Sequence, residues 1–306
     1  MKKAELSIII VSFNTKDLLK NCLNSIYSTV NNVIYEIIVV DNASEDGSQD
    51  IIENEFPDVI LIKNSINTGF ARANNQAIKI AKGRYLFLLN SDAIATEHSL
   101  EGLISFMDAH MKVAAAGPKV LNFNGTLQSK GHHFPSVLFG LIFLLRLPVF
   151  VSENNLSKWF PRFYWDENDT RPVEWISGSC MFLRKEVVDK IGGLSEDYFM
   201  YYEDVEWCYR AKKYDHEIWY YPNSQIFHCN MSSPNTMKLE VWKKSTKVFY
   251  RVHFGILDFI LISVLDILTK LTRLFRIIIK SKEKNEFKNT KNEMIEQIKL
   301  LIYILK

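Results

Sequence analysis

The first 120 residues alternate between apolar runs and segments whose apolar side chains recur at helical spacing. Five apolar runs predict strands, at 6–13, 36–41, 59–62, 84–90 and 113–117. The segments between them predict helices, at 15–28, 46–56, 70–82 and 98–110. Strands and helices that alternate in this way form a mostly parallel, Rossmann-like α/β sheet with helices on both faces.

Polar residues follow three of the predicted strands at the point where each strand ends. They are at 12–14, 41–42 and 90–92. A single strand that ends in Asn, Ser or Asp is an ordinary turn. Ligands of open α/β sheets bind beyond the carboxyl ends of the strands, so three polar ends at one edge predict a binding pocket.

The charge and the glycine pattern exclude several classes of function. The net charge is +2, which gives no reason to expect a nucleic-acid partner. No G-x-G-x-x-G sequence follows the first strand and no Walker loop is present, which disfavours dinucleotide dehydrogenases and P-loop enzymes. Without such a loop, a diphosphate could still be held by a divalent cation, which oxygen ligands such as Asp92 suit.

The cysteines and the N-terminus favour a cytoplasmic protein. Cys22, Cys180, Cys208 and Cys229 form no C-x-x-C pair, which predicts neither a zinc cluster nor a disulfide framework and indicates a reducing compartment. The apolar run at 6–13 is short for the core of a signal peptide, and no small-residue cleavage site follows it.

The second half of the chain lacks this regular alternation. Strand-like character returns at 174–184, a helix is predicted to include 201–213, and two short strands are predicted near 217–220 and 224–228. Arg210, in this helix, is expected to form a structural ion pair.

Two apolar segments predict contact with a membrane surface. Arg146 and Pro148 interrupt the segment at 134–151, which is too short and broken to span a bilayer. The segment at 254–280 has a broad apolar face and leads into a basic run, typical of a helix on an anionic surface: Lys270, Arg273, Arg276, Lys280, Lys282 and Lys284. The alternative is a helix that packs within the protein. We expect residues 251–306 to form an amphipathic, membrane-associating tail at the inner face of the cell membrane.

Six motifs follow one another along the chain: VSFN (11–14), VVDNASEDGS (39–48), NTGFARANNQAI (67–78), LLNSDA (88–93), a stretch over 177–210 that contains SGSC and YYEDVEWCYR, and FH (227–228). In this order they resemble the family 2 glycosyltransferases of the GT-A fold, and among them the rhamnosyltransferase-like enzymes of bacterial cell-surface polysaccharide synthesis. The resemblance covers residues 5–250. It implies that residues 1–118 bind a nucleotide sugar and that residues 119–250 hold the acceptor and the catalytic groups.

The resemblance also implies which residues contact the donor. The set is Ser12, Asn14, Asp41, Asn67, Gly69, Arg72, Asn90, Ser91, Asp92, Trp175 and Gly178. Asp41 corresponds to the acid that hydrogen-bonds the pyrimidine base. Residues 90–92 stand where the family has its D-x-D motif. Its first acid is replaced here by Asn90, which leaves Asp92 as the only carboxylate of the motif for Mg²⁺ or Mn²⁺.

The catalytic assignment is also carried over from the family. Glu203 and Asp204 occupy its E-D position, where Asp204 would be the general base. An inverting transfer needs such a carboxylate to take the proton of the acceptor hydroxyl, although an acid in a first helical turn also complements the helix dipole. His228 matches a histidine of the metal or diphosphate shell.

Together these features predict an inverting, metal-dependent transfer of a sugar from a dTDP- or UDP-sugar to a polyprenyl-linked saccharide. The rhamnosyltransferase-like motifs point to dTDP-rhamnose as one such donor. Two alternatives stay open. A sugar-nucleotide pyrophosphorylase would need a glycine-rich phosphate loop after the first strand, and a non-catalytic partner in glycan assembly would not need the intact acids.

Overall fold

A computed structural model of the protein describes most of the chain, namely residues 4–134, 141, 165–229, 235–255, 257–265, 267–268 and 271–272. The chain divides into two compact units. The first consists of Met1–Phe134 and Trp165–Val248, and the second of Pro135–Tyr164 and Phe249–Lys306.

The first half folds as the alternation of strands and helices that the sequence predicts. Its elements are β1 (Leu6–Ser12), α1 (Lys16–Thr29), β2 (Tyr35–Asp41), α2 (Ser48–Glu55), β3 (Ile60–Lys63), α3 (Phe70–Ile80), β4 (Tyr85–Asn90), β5 (Ala93–Ala95), α4 (Ser99–Ala109), β6 (Val113–Leu121) and β7 (Leu127–Ser129). The three-residue strands β5 and β7 are additions to the prediction.

Between residues 165 and 253, the second half contributes three strands and three helices among its described residues. They are β8 (Arg171–Val173), β9 (Cys180–Arg184), α5 (Lys185–Ile191), α6 (Glu203–Lys213), β10 (Glu217–His228) and α7 (Asn235–His253). Arg210 in α6 pairs with Glu206 one turn earlier, with 2.8 Å between Nη2 and Oε2, as expected.

Two strand predictions in this half were wrong in extent. The strand predicted at 174–184 is limited to β9, because residues 177–179 form a loop and turn immediately before it. The two short strands predicted near 217–220 and 224–228 are the single strand β10. Its alternate burial continues through Pro222, and the break that the proline introduces is an irregular register between Tyr221 and Gln225.

Among the described residues, the strands form one mostly parallel sheet. Eight of them lie in the order β3-β2-β1-β4-β9-β6-β10-β5, with β7 beside β6 and β8 beside β10. Neighbours β3, β2, β1 and β4 are parallel, as are β6 and β10. β9 runs antiparallel between β4 and β6. The carboxyl ends of β1, β2 and β4 therefore meet at one edge.

The core lies on both faces of this sheet. In β1, Ile8 and Ile10 belong to one buried cluster and Ile9 to the other. Successive side chains of a strand point to opposite faces. A strand that is covered by helices on both sides is therefore apolar on both faces, as the consecutive residues Ile8–Val11 of β1 are.

The second unit includes a helical segment at 257–265. Its solvent-exposed apolar side chains recur at helical spacing and continue beyond it: Leu257, Ile260, Leu261, Val264, Leu268 and Leu271. No helix within the described ranges is both long and apolar enough to cross a membrane. The apolar segment predicted at 134–151 lies outside the described residues apart from Phe134 and Leu141.

Candidate active site

A cleft of about 470 Å³ opens at the carboxyl ends of β1 and β4, within the first unit. Most of the predicted site residues line it: Asn67, Gly69, Asn90, Ser91, Asp92, Gly178, Glu203, Asp204 and His228. The parallel sheet brings the first five to this edge, and the helix α6 supplies the two consecutive acids. Asp92, the predicted cation ligand, and Asp204, the predicted general base, therefore lie in one cavity.

A larger cavity of about 610 Å³ lies at the opposite end of β4 and contains none of these residues. Arg84 there pairs with Asp108 at 2.8 Å, from Nη2 to Oδ2, and also with Glu5. Because this cavity contains none of the predicted site residues, we place the candidate site in the smaller cleft.

Asp92 and His228 meet at the floor of the cleft. His228 Nε2 lies 2.9 Å from Asp92 Oδ1 and 3.1 Å from Asn90 Nδ2. The backbone holds the two residues together, since β10 pairs with β5 immediately after Asp92 and Cys229 donates its N–H to the Asp92 carbonyl oxygen at 3.0 Å. A carboxylate oxygen and an imidazole nitrogen therefore lie together at the sheet edge.

Asp204 presents a carboxylate whose oxygens are both engaged by backbone. Oδ2 accepts from Gly178 N and Oδ1 from Val205 N, each at 2.8 Å. Burial raises the pKa of Asp204, and these two hydrogen bonds offset part of that rise. Burial, reinforced by the charge of Asp204, raises the pKa of Glu203 well above its ordinary value.

The residues before α6 adopt an unusual backbone. Tyr201 and Tyr202 both have positive φ, at 67° and 73°. Non-glycine residues in this region are uncommon and cost free energy, and they cluster at functional sites. Their effect here is to turn the chain so that α6 begins at the cleft with Glu203 and Asp204.

A chain of hydroxyl groups joins β1 to the Asp92 loop. Ser12 Oγ lies 2.9 Å from Thr15 Oγ1, which donates to Ser91 Oγ at 2.9 Å. Ser12 itself is fully buried behind the cleft. It therefore braces the site and does not line it.

Asp41, the last residue of β2, and Asn14, which follows β1, lie beside the cleft and contact the loop after β2. Asp41 Oδ1 accepts from Ser44 N at 2.9 Å and from Gln49 Nε2 at 2.6 Å. Asp41 Oδ2 is buried and has no hydrogen-bond partner in the described part of the chain. Asn14 Oδ1 accepts from Glu45 N at 2.8 Å, which ties this loop to the end of β1.

Arg72 and Trp175 lie outside the lining of the cleft. Arg72 is mostly exposed, and its Nε lies 3.1 Å from Glu196 Oε2. Trp175 stacks on His132 with ring centroids 4.3 Å apart, and its Nε1 donates to His133 O at 3.0 Å. All three contacts are with other groups of the protein.

The cleft also contains residues that the sequence analysis did not select, among them Thr15, Phe70, Gln128, Ser129, Met200 and Tyr201. For Gln128 a signal existed. Asn124-Gly125 is a typical hairpin turn, and Gly125 has φ +79° in the turn that joins β6 to β7. A predicted hairpin would have placed Gln128 beside the carboxyl end of β6.

Comparison with known proteins finds glycosyltransferases among the relatives of this chain. The chain is 28% identical over 213 residues to the low-salt glycan biosynthesis hexosyltransferase Agl10 of Haloferax volcanii, over 68% of this chain and 62% of that protein. It is 26% identical over 235 residues to the N-acetylglucosaminyl-diphospho-decaprenol L-rhamnosyltransferase of Mycobacterium tuberculosis, over 70% of this chain and 73% of that protein.

The fold has solved counterparts. The mannosyltransferase PcManGT from Pyrobaculum calidifontis, solved in complex with GDP-Man and Mn²⁺, superposes with a TM-score of 0.61 at 14% sequence identity, over 100% of this chain and 87% of that one. The predicted α/β architecture of the GT-A type is thereby confirmed. The model of glycosyl transferase family 2 matches residues 7–192, and the chain belongs to that family.

Proposed function

We propose that the protein is an inverting glycosyltransferase of cell-surface glycan synthesis that uses a pyrimidine nucleoside diphosphate sugar and a lipid-linked saccharide acceptor. The observation that carries the proposal is the shared cleft, in which the pair Asp92–His228 and the buried carboxylate of Asp204 face the same space. The name of the mycobacterial relative, which includes a diphospho-decaprenol-linked sugar, supports the class of acceptor.

The cleft suits a divalent cation that is bound together with a diphosphate. No cluster of three His, Cys, Asp or Glu side chains that could hold a metal occurs among the residues described. Asp92 and His228 supply one oxygen and one nitrogen ligand 2.9 Å apart, so the remaining ligands would be diphosphate oxygens and water. When bound, Mg²⁺ or Mn²⁺ would neutralise charge on the departing diphosphate.

Asp204 would act as the general base. The acceptor oxygen attacks C1 of the sugar, its proton passes to a carboxylate oxygen of Asp204, and the bond from C1 to the diphosphate oxygen breaks on the opposite side. The N–H groups of Gly178 and Val205 hold this carboxylate in one orientation. Its raised pKa makes it a stronger base than an exposed aspartate.

Asp41 would recognise the nucleobase. Its buried Oδ2 lacks a protein partner within the described ranges, and a buried acceptor without a donor is costly. The ring N–H of uracil or thymine would satisfy this oxygen. A cytosine ring has no hydrogen at that nitrogen, so the same contact would disfavour cytidine nucleotides.

The second unit would bind the membrane that carries the acceptor. The exposed apolar side chains between Leu257 and Leu271 recur at helical spacing. The adjoining sequence from Lys270 to Lys284 is rich in lysine and arginine. An apolar helix face followed by basic residues is suited to the interface of an anionic bilayer.

A thermal-shift panel with Mn²⁺ tests the nucleotide and cation together, since a ligand of the folded state raises Tm. We expect UDP or dTDP to raise the Tm of the full chain with Mn²⁺, and CDP and GDP to have little effect. Asp92→Asn should lose the Mn²⁺-dependent part of this rise. Asp166→Asn, which alters a carboxylate outside the cleft, is the matched control. The proposal fails if no diphosphate shifts Tm, or if donor and lipid-linked acceptor yield no product.

A further inference from the structure

The side chain of Gln128 makes three hydrogen bonds around His228. Its Nε2 donates to the backbone oxygen of His228 at 2.9 Å and to Asn122 Oδ1 at 2.9 Å. Its Oε1 lies 2.6 Å from His228 Nδ1. A backbone carbonyl can only accept, so the first contact fixes which end of the amide is the NH₂ group.

This orientation determines where the imidazole carries its proton. The Oε1 atom of Gln128 is an acceptor, and therefore His228 Nδ1 must be the donor. In the neutral ring the other nitrogen, Nε2, then has a lone pair. Asn90 Nδ2 lies 3.1 Å from Nε2, which agrees with a nitrogen that accepts, and a cation at Nε2 would replace this contact.

The lone pair of Nε2 faces Asp92 Oδ1 at 2.9 Å. Two hydrogen-bond acceptors at this distance repel each other unless a cation lies between them or one of them is protonated. With the opposite tautomer, Nε2–H would donate to Asp92 and the two groups would satisfy each other. The proton on Nδ1 thus keeps the pair open to a cation.

We propose that Gln128 is a positioning residue that fixes His228 as its Nδ1–H tautomer and so keeps Nε2 available as a ligand beside Asp92. The inference rests on the proposed function only in naming a divalent cation as the ligand. Partners that orient a ligating histidine through its second nitrogen typically change metal affinity by ~10–100-fold when removed. The hairpin β6–β7 therefore carries part of the site.

The decisive variant is Gln128→Met, which keeps the length of the side chain and removes the acceptor. Asn122→Ala is the local control, because it loosens the hairpin at Asn122 but leaves the contact between Gln128 and His228. Gln225→Met is the matched control, since Gln225 is an exposed residue of the same strand as His228. All three variants are made in the full chain.

Two readouts are needed. The first is the tautomer of His228 in the metal-free protein, from long-range ¹H–¹⁵N correlation spectra of ¹⁵N-histidine protein, with the signal assigned by a His228→Asn variant. The second is Mn²⁺ affinity, from the loss of the free Mn²⁺ electron paramagnetic resonance signal in the presence of UDP or dTDP. The spectra are recorded at a pH where imidazole is neutral.

We expect a proton on Nδ1 in the wild type and in both controls, and a shift toward Nε2–H in Gln128→Met together with ~10–100-fold weaker Mn²⁺ binding. A wild-type His228 with its proton on Nε2 would overturn the inference. So would a Gln128→Met protein that binds Mn²⁺ less tightly with an unchanged tautomer, because the residue would then act only through the hairpin. A wild type that binds no Mn²⁺ but keeps the Nδ1 proton would instead refute the cation of the proposed function.

Discussion

Glu203 and Asp204 are consecutive carboxylates with different surroundings. Both oxygens of Asp204 accept backbone N–H groups, from Gly178 and Val205. Glu203 Oε2 is buried and has no hydrogen-bond partner among the residues that the structure describes. Burial raises the pKa of both groups, and the charge of Asp204 raises that of Glu203 further. Asp204 is therefore the better placed of the two to be ionised and to act as a base.

Asp204→Asn tests this role through the dependence of the rate on pH. A general base works only when ionised, so the wild-type kcat should fall as the pH drops through the raised pKa of Asp204. We expect the variant to lose ~10²–10⁴-fold in kcat and to lack this acidic limb. Steady-state rates across pH, with UDP or dTDP thermal shifts as a check on binding, provide the measurement. An unchanged acidic limb would rule Asp204 out as the base.

Glu203→Gln should stabilise the protein, with an effect that depends on pH. Because the pKa of Glu203 is raised in the folded state, the unfolded chain loses this proton first as the pH rises. The free energy of unfolding therefore falls with rising pH across that interval. Glutamine has no such proton, so we expect a gain of ~1 kcal/mol above the interval and little gain below it.

Urea unfolding at several pH values measures this gain. The control is Glu186→Gln, in which a glutamate with a 70% exposed side chain is replaced. It should leave the pH dependence of the wild type intact. A Glu203→Gln protein with the wild-type pH dependence would show that burial does not hold the proton on Glu203.

At the scale of elements, the entry to α3 depends on one glycine. Gly69 has φ +84°, and a Cβ at this position would lie 2.5 Å from Phe199 O, the acceptor of the Phe70 N–H at 2.8 Å. Gly69→Ala must therefore strain the backbone and separate α3 from the segment that leads into α6. We expect it to lower the free energy of unfolding by about 3 kcal/mol and to weaken nucleotide binding.

Gly125→Ala is the matched comparison for this change. Gly125 has φ +79°, and a Cβ there would meet no atom within 4 Å. Only the backbone strain of a left-handed alanine remains, about 1 kcal/mol. Equal losses for the two variants, measured by urea unfolding, would contradict the role given to the contact with Phe199.

Element length decides how well the sequence predicts the secondary structure. Strands such as β1 and β2, buried on both faces, and helices with a continuous apolar stripe follow from periodicity. Strands β5, β7 and β8 have only three residues each. They exist because neighbouring strands offer hydrogen-bond partners, and no local pattern of so few residues reveals such partners.

At the scale of the whole molecule, the alternation of elements predicts the parallel half of the sheet but not its completion. β9 enters between β4 and β6 from a distant part of the chain and brings residues 177–179 to the cleft. The motifs of the family predicted that Asp92, Asp204 and His228 serve one site. Arg72 was expected to contact the donor, but it pairs with Glu196, 124 positions away in the chain. Such a pairing depends on tertiary contacts, which a single sequence does not reveal.

The apolar stripe of the second unit makes a prediction about where the full chain resides. Leu257 and Leu261 are 73% and 50% exposed and lie one helical turn apart. Full burial of such a side chain in a bilayer interface is worth ~1.5–3 kcal/mol. We expect the full chain to co-sediment with vesicles that contain phosphatidylglycerol, less so at high salt. The double variant Leu257→Asp, Leu261→Asp should bind at least ~10-fold more weakly.

The control for this variant carries the same chemical change elsewhere. Ile66 and Met111 are 68% and 67% exposed and belong to the first unit. The double variant Ile66→Asp, Met111→Asp should keep wild-type affinity for the vesicles, because the proposal assigns the lipid contact to the helical stripe. Equal weakening by both pairs would mean that net charge alone governs the association. Binding that neither pair alters, or none by the wild type, would exclude the stripe as the membrane contact.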